Sequence, residues 1–151
     1  MNIIKGNLIK LALDGKFDVI IHGCNCFCTM EAGIAKSIKN EFPEAFKADL
    51  TTEKGDKTKL GTYSSVCVNQ NNHKIIIVNA YTQFHWWGNG CKADYNAIKK
   101  VFSIIKKNFH GKKIGYPLIG AGLAGGDWNV ISKIIKTELK DENHTLVKFM
   151  H

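Results

Sequence analysis

Short apolar runs alternate with amphipathic stretches along this chain. Asp18-Val-Ile-Ile-His22 is a run of β-branched residues that ends at Gly23, the pattern of a buried strand. From Gly33 to Phe46, Ile34, Ile38 and Phe42 recur every four residues and predict one helix. Gly61–Val68 and Lys74–Val78 read as two strands joined by a hairpin turn at Asn69-Gln-Asn-Asn72. Ala93–Phe109 is the clearest helix, with Ala97, Ile98, Val101, Phe102, Ile105 and Phe109 on one face. Its lysines, Lys99, Lys100, Lys106 and Lys107, mostly take the other side as solvent cover. Lys112–Leu118 predicts a further strand. Asp127 suits the N-cap of a helix carrying Val130, Ile131, Ile134, Ile135 and Leu139. Thr145–Met150 predicts a last strand, and residues 47–60 read as an exposed loop.

Strands that alternate with helices predict an α/β domain of three layers, α/β/α. The hairpin makes the central sheet mixed, because its two strands must run antiparallel. The 151 residues suit a single domain spanning 1–151. No apolar run approaches the ~20 residues of a membrane helix. The start, Met1-Asn2-Ile3-Ile4-Lys5-Gly6, lacks the apolar stretch of a signal peptide. The expectation is a cytoplasmic protein with no membrane partner. Five cysteines, an odd number, argue against a disulfide framework. Cys24-Asn25-Cys26-Phe27-Cys28 lacks the spacing of a zinc site and has no second pair, so no metal and no cofactor is expected.

Charge narrows the partner. The chain has 21 lysines, no arginine and 13 acids, a net charge of +8. An excess of this size suits an anionic partner: nucleic acid, nucleotide or phosphate ester. Nucleic acid is the less favoured of these, because arginine, the best bidentate reader of guanine and phosphate, is missing. A lysine-rich solvated surface is the bland alternative.

Two strand-to-helix loops carry the candidate chemistry. His22-Gly-Cys-Asn-Cys-Phe-Cys-Thr-Met-Glu-Ala-Gly33 leaves a strand's carboxyl end, the edge where open α/β sheets bind ligands. Such loops aim backbone N–H groups and a helix N-terminus at an anion. Asn25 offers an amide to a sugar hydroxyl, and His22 a group titrating near neutrality; a capped turn with a satisfied histidine is the competing reading. Pro117-Leu-Ile-Gly-Ala-Gly-Leu-Ala-Gly-Gly-Asp-Trp128 is bare enough for a diphosphate to approach its backbone. Gly120-Ala-Gly-Leu-Ala-Gly125 matches G-x-G-x-x-G, yet the following strand ends in Met150-His151 with no acid, and no further βα unit follows, so a dinucleotide fold does not fit. No Lys-Ser or Lys-Thr follows the glycines, which excludes the phosphate loop of ATPases.

Taken in order, these segments resemble the macro domain, a family that binds ADP-ribose. Gly6-Asn7-Leu8 is similar to the family's early Gly-Asp-hydrophobic element, and Asp18–Asn25 to its strand plus Asn-Ala-Ala-Asn segment. Met30-Glu-Ala-Gly-Ile-Ala35 resembles the glycine-rich start of its first long helix, and Ile119–Gly125 its diphosphate loop. The resemblance implies an ADP-ribose pocket built from Asn7, Ile21, Gly23, Asn25, Ala32, Gly33, Ile34 and Tyr81 with Gly120, Ala121, Gly122, Leu123, Ala124 and Gly125; Phe84 joins Tyr81 as pocket wall. It also implies that the Asn7 carbonyl accepts from the adenine amino group, as the family's Asp does.

His22, in place of the segment's first asparagine, resembles the branch with ADP-ribose-1″-phosphate phosphatases and terminal ADP-ribose glycohydrolases. The glycohydrolases' aspartate is Ala124 here, and the lysine that an antitoxin branch carries before the helix glycine is Ala32. The resemblance to that branch implies a phosphatase acting on ADP-ribose 1″-phosphate; read from the residues, His22 is the group to position or deprotonate water and Asp127, the acid remaining in the second loop, the group to orient it. Asp127 reads also as a simple helix cap. An ADP-ribosyl hydrolase acting on modified protein or nucleic acid, and a non-catalytic ADP-ribose reader, are the alternatives.

Overall fold

The computed structural model describes residues 1–150. Six strands form one sheet: β1 (Asn2–Gly6), β2 (Val19–Cys24), β3 (Tyr63–Gln70), β4 (His73–Tyr81), β5 (Ile114–Tyr116) and β6 (His144–Phe149). Five helices flank it: α1 (Leu8–Leu13), α2 (Gly33–Glu41), α3 (Pro43–Leu50), α4 (Tyr95–Asn108) and α5 (Trp128–Glu138). The strand order is β1-β6-β5-β2-β4-β3. All neighbours run parallel except β3 and β4, so the sheet is mixed, as the hairpin requires.

Strand parity assigns the two cores. Val19, Ile21, Val78, Ala80 and Ile114 face Ile98, Val101, Phe102, Ile105, Ile131 and Ile135 of α4 and α5. Ile20, Ile75 and Ile77 face Leu8 and Ala12 of α1, Ile38 of α2, and Phe42 and Ala45 at α3. Each layer hides one apolar face of the sheet, which gives the predicted α/β/α arrangement.

Several local expectations shift. The hairpin turn is shorter than predicted: Gln70 pairs with His73, and Asn71 and Asn72 alone turn the chain at φ 52° and 65°. Positive φ at both central residues is what a two-residue hairpin of this hand needs, and Asn tolerates it. The helix expected from Gly33 to Phe46 is two helices. Pro43 drives Phe42 out of the helical region, to φ −124° and ψ 77°, and then starts α3 at its own first position. Residues 47–60 are not a free loop, because α3 runs to Leu50, and Asp49 and Lys59 are buried. The predicted strand Lys112–Leu118 shortens to Ile114–Tyr116. The last strand starts one residue earlier and ends at Phe149; His151 lies outside the described residues. Both β1 and α1, five and six residues long, show no periodicity strong enough to predict.

At the centre, β5 joins β2 through only two registered pairs, Val19↔Ile114 and Ile20↔Gly115. The Phe17 ring lies where a Gly115 side chain would be: a Cβ there would sit 2.7–2.8 Å from three ring atoms. The Gly115→Ala protein should therefore lose about 1–3 kcal/mol, the usual cost of an overpacked core. Urea denaturation would show a lower midpoint at unchanged slope, with partial recovery when Phe17→Leu is added. An unchanged midpoint would refute this packing.

Candidate functional site

The carboxyl ends of β2 and β5 lie side by side, and the loops that leave them face each other. The first loop, residues 25–32, is held by its own polar groups. The Asn25 Oδ1 accepts from Phe27 N–H at 2.8 Å, and its Nδ2 donates to Thr29 Oγ1 at 2.9 Å. Asn25 thus shapes the loop, with one amide hydrogen left over for a ligand. Cys28, Met30 and Gly33 all have positive φ, so the loop is tightly curled.

That loop feeds α2, whose N-cap is Ala32. Ala32 has no side chain able to cap, and the first turn of α2 carries no acid. By contrast Asn7, Asp94 and Asp127 cap α1, α4 and α5 with side-chain oxygens. The first N–H groups of α2 are therefore left for an external acceptor, at the positive end of the helix dipole.

The second loop, residues 117–127, is pinned at its base. Gly126 N–H donates to the Gly120 carbonyl at 2.7 Å, and Gly125 N–H to the Gly122 carbonyl at 3.1 Å. A Cβ at Gly126 would meet the Gly120 oxygen at 2.5 Å, so this closure admits only glycine. Among the described residues, the N–H groups of Gly122, Leu123 and Ala124 have no acceptor. Gly122 is open to space, with nothing within 4 Å of where its Cβ would stand. Leu123, 80% exposed, reaches toward Gly33: a Cβ there would be 3.5 Å from its Cδ1. The two loops thus close on a cleft walled by backbone N–H groups rather than by cationic side chains.

The structure brings Gly33 of the first loop beside Leu123 of the second, and Gly23 at the end of β2 beside Ile119, where the second loop begins. Two expected pocket residues lie elsewhere. Ile21 is fully buried in the core against α4 and α5. Tyr81 is also fully buried; its hydroxyl donates to Asp49 Oδ1 at 2.6 Å and lies 2.8 Å from Ser64 Oγ. Phe84 is half-buried and stacks edge-on against Phe27 of the first loop, 4.9 Å between centroids.

At the β1 edge, the Asn7 carbonyl already caps α1, accepting from Lys10 N–H at 3.0 Å. Its amide NH₂ is left as a donor, and the carbonyl keeps a second lone pair. Phe149, 65% exposed, lies in register with Gly6 beside it. Its only signal in the sequence is a bulky apolar residue where the strand leaves the core.

His22 departs furthest from expectation. It is fully buried on the α2/α3 side of the sheet, with Nε2 2.6 Å from Asn79 Oδ1. Asn79 Nδ2 in turn donates to the Ala45 carbonyl at 2.9 Å and to Ser64 Oγ at 3.0 Å. Burial pushes the His22 pKa down to about 4, against a smaller opposing effect of the Asn79 bond. The ring is therefore neutral at pH 7 and sealed from solvent, which removes it from direct proton exchange with a ligand. Asp127 is exposed and caps α5 through Asn129 N–H at 2.9 Å. No hydrogen bond joins it to His22 among the described residues.

Comparison with known proteins gives one consistent result. The model of the Macro domain family matches residues 21–135. The 17.5 kDa protein of the tk-vs intergenic region of Enterobacteria phage T4 is 39% identical over 139 residues, covering 89% of this chain and 86% of that one. Two solved structures share the fold. The macrodomain of Mycobacterium tuberculosis DarG has a TM-score of 0.74 at 19% identity, over 99% of this chain and 97% of that one. Thermosipho africanus DarTG in complex with ADP-ribose has a TM-score of 0.69 at 16% identity, over 98% of this chain and 41% of that one.

The buried histidines make stability depend on pH. The pKa of His144, hydrogen-bonded to Tyr116 at 2.6 Å, is also lowered to about 4 by burial, with a smaller push from the charged N-terminus. Between pH 6.5 and 4 the unfolded chain binds protons that the folded chain refuses. Stability is complete above that window and falls as the pH drops through it, with His22 alone worth a few kcal/mol, on the order of 1.4 per pKa unit. Urea midpoints measured at about pH 7 and about pH 4.5 should differ, and His22→Asn should flatten the dependence. Equal midpoints would contradict the buried, neutral histidines.

Proposed function

We propose that this chain, which belongs to the macro domain family, binds ADP-ribose in the cleft between its two glycine-bearing loops and removes the terminal phosphate of ADP-ribose 1″-phosphate. The observation that carries the binding is the pairing of an uncapped helix N-terminus with an opposing loop of acceptor-free N–H groups. A diphosphate satisfies both sides at once. DarTG, of the same fold, has been solved with ADP-ribose bound. Along the sheet edge the ligand then runs from Asn7 and Phe149, where the adenine sits, across the diphosphate loops to Asn25 at the terminal ribose.

The proposed reaction is hydrolysis of a phosphate monoester. Water attacks phosphorus, the phosphorus–oxygen bond to C1″ breaks, and ADP-ribose leaves with the proton on its hydroxyl. Backbone N–H groups carry the charge that develops on the phosphoryl oxygens. Asp127 uses one oxygen to cap α5, and its other oxygen orients the water. His22 supports the site from beneath: through Asn79 it ties the end of β2 to α3 and β3 and so fixes where the first loop begins. In this scheme it is a positioning residue.

Gly122→Glu tests the placement. Nothing in the protein obstructs the new side chain, so the fold should survive. The carboxylate should occupy the diphosphate's path and weaken ADP-ribose binding by several kcal/mol, on the order of an unpaired buried charge. Unchanged calorimetric affinity in the folded variant would refute the site. Release of inorganic phosphate from ADP-ribose 1″-phosphate by the wild-type chain, reduced by Asp127→Asn, is the result expected for the reaction. Tight binding without phosphate release would instead leave a reader.

A further inference from the structure

The cleft ends, on the side away from Asn7, in a ledge of aromatic rings. The loop after β4 carries Phe84-His-Trp-Trp87, and Phe27 projects from the first loop into the same group. Phe27 is the hub. Its ring lies edge-on to Phe84, Trp86 and Trp87, at centroid distances of 4.9, 5.9 and 5.1 Å. Trp86 and Trp87 meet each other at 5.0 Å and 87°. They are 53% and 50% exposed, among the largest apolar surfaces that the chain leaves in water.

The ledge is built rather than frayed. Its loop is anchored to both cleft loops: Cys26 N–H donates to the Phe84 carbonyl at 2.9 Å, and Lys92 N–H to the Ala124 carbonyl at 2.7 Å. The Lys92 ammonium bonds the carbonyls of Gly88 and Gly90, closing the turn that follows Trp87. Gly88 and Gly90, at φ 85° and 88°, supply the left-handed backbone which that turn requires.

Charge selects the occupant. Neither 23–30 nor 81–93 contains a carboxylate. Beside the ledge, Glu53-Lys54-Gly55-Asp56-Lys57 alternates acids and lysines: Lys57 holds its ammonium 5.1 Å from the Phe84 ring centroid, Gly55 lies beneath Phe27, and the Asp56 carboxylate is turned away to accept from Thr58 N–H and its hydroxyl. A second copy of a chain at +8 would bring like charges together. Half-exposed indoles near an ammonium group suit a polyanion whose flat rings can stack. Stacking on an aromatic face tolerates any base and needs no arginine, so the lack of arginine does not count against it.

We infer that this ledge is a binding site for single-stranded nucleic acid: Trp86 and Trp87 stack unpaired bases, and Lys54 and Lys57 meet the backbone phosphates. The site lies outside the proposed ADP-ribose cleft and stands independently of what that cleft binds.

The test uses the intact chain and an unmodified oligothymidylate of about eight nucleotides, within the span of one stacking groove. Titration should quench tryptophan fluorescence and raise the anisotropy of a labelled strand, and affinity should fall as salt rises. The Trp86→Ala/Trp87→Ala protein should bind the strand about 10- to 100-fold more weakly. Its circular dichroism spectrum and urea midpoint should match those of the wild-type chain, which shows that it is folded. Trp86→Phe/Trp87→Phe, which keeps the ring faces, should recover most of the strand binding. Strand affinity equal to wild type in the alanine variant, binding without quenching, or no binding would overturn the inference. So would a concentration-dependent dimer that the alanine substitutions dissolve, since the ledge would then be a self-association surface. None of these results bears on ADP-ribose, whose binding is measured separately.

Discussion

The parallel pairing of β5 against β2 decides where everything above the sheet can stand. Only two residue pairs make it, and it exists because Gly115 leaves room for the Phe17 ring below. That contact brings together two strands separated by about ninety residues of chain and sets the loops leaving their carboxyl ends face to face. On the other side of β2, β4 aligns in register along six residues and delivers the aromatic loop. The cleft and its ledge are therefore consequences of strand order, at the sheet edge where α/β folds gather ligands.

What fills that edge is mostly backbone. In a chain with 21 lysines, the cleft walls present N–H groups from an uncapped helix and from a loop closed by glycine. Fixed dipoles of this kind hold an anion without the entropy of ordering long side chains. The closure depends on Gly126, where any side chain would strike the Gly120 carbonyl. Beneath the first loop, polar groups that could have titrated are locked in place: His22 by Asn79, and the Asp49 carboxylate by the Tyr81 hydroxyl. Burial raises the Asp49 carboxyl pKa, the Tyr81 bond partly offsetting this. The network is rigid support beneath the first loop.

Local signals in the sequence were enough where local physics governs. The spacing of four and then three residues from Ile98 to Phe102 to Ile105 marks α4, Asp127 marks the cap of α5, and the asparagine pair marks the hairpin turn. The glycines of the second loop and the order of the segments gave the family. The readings that moved were those set by distant residues. Pro43 is adjacent to Phe42, yet the spacing of Ile34, Ile38 and Phe42 continues across the break, because α2 and α3 both pack on the same core. His22 looked reactive at a strand end, and its partner Asn79 lies 57 residues away. Tyr81 looked like a pocket wall until Asp49, from a stretch that reads as loop, proved to cover it. The aromatic ledge likewise joins Phe27 to Trp86 across about sixty residues.

The central claim is that backbone N–H groups of the two loops hold the diphosphate of ADP-ribose. Amide nitrogen–proton spectra of the labelled chain, recorded while ADP-ribose is added, report on those groups one residue at a time. The account predicts that the largest shifts fall on Gly122, Leu123 and Ala124 and on Gly33, Ile34 and Ala35, with Gly115 and the sheet centre unmoved. Large shifts confined to other surfaces, with these six amides silent at saturation, would contradict it.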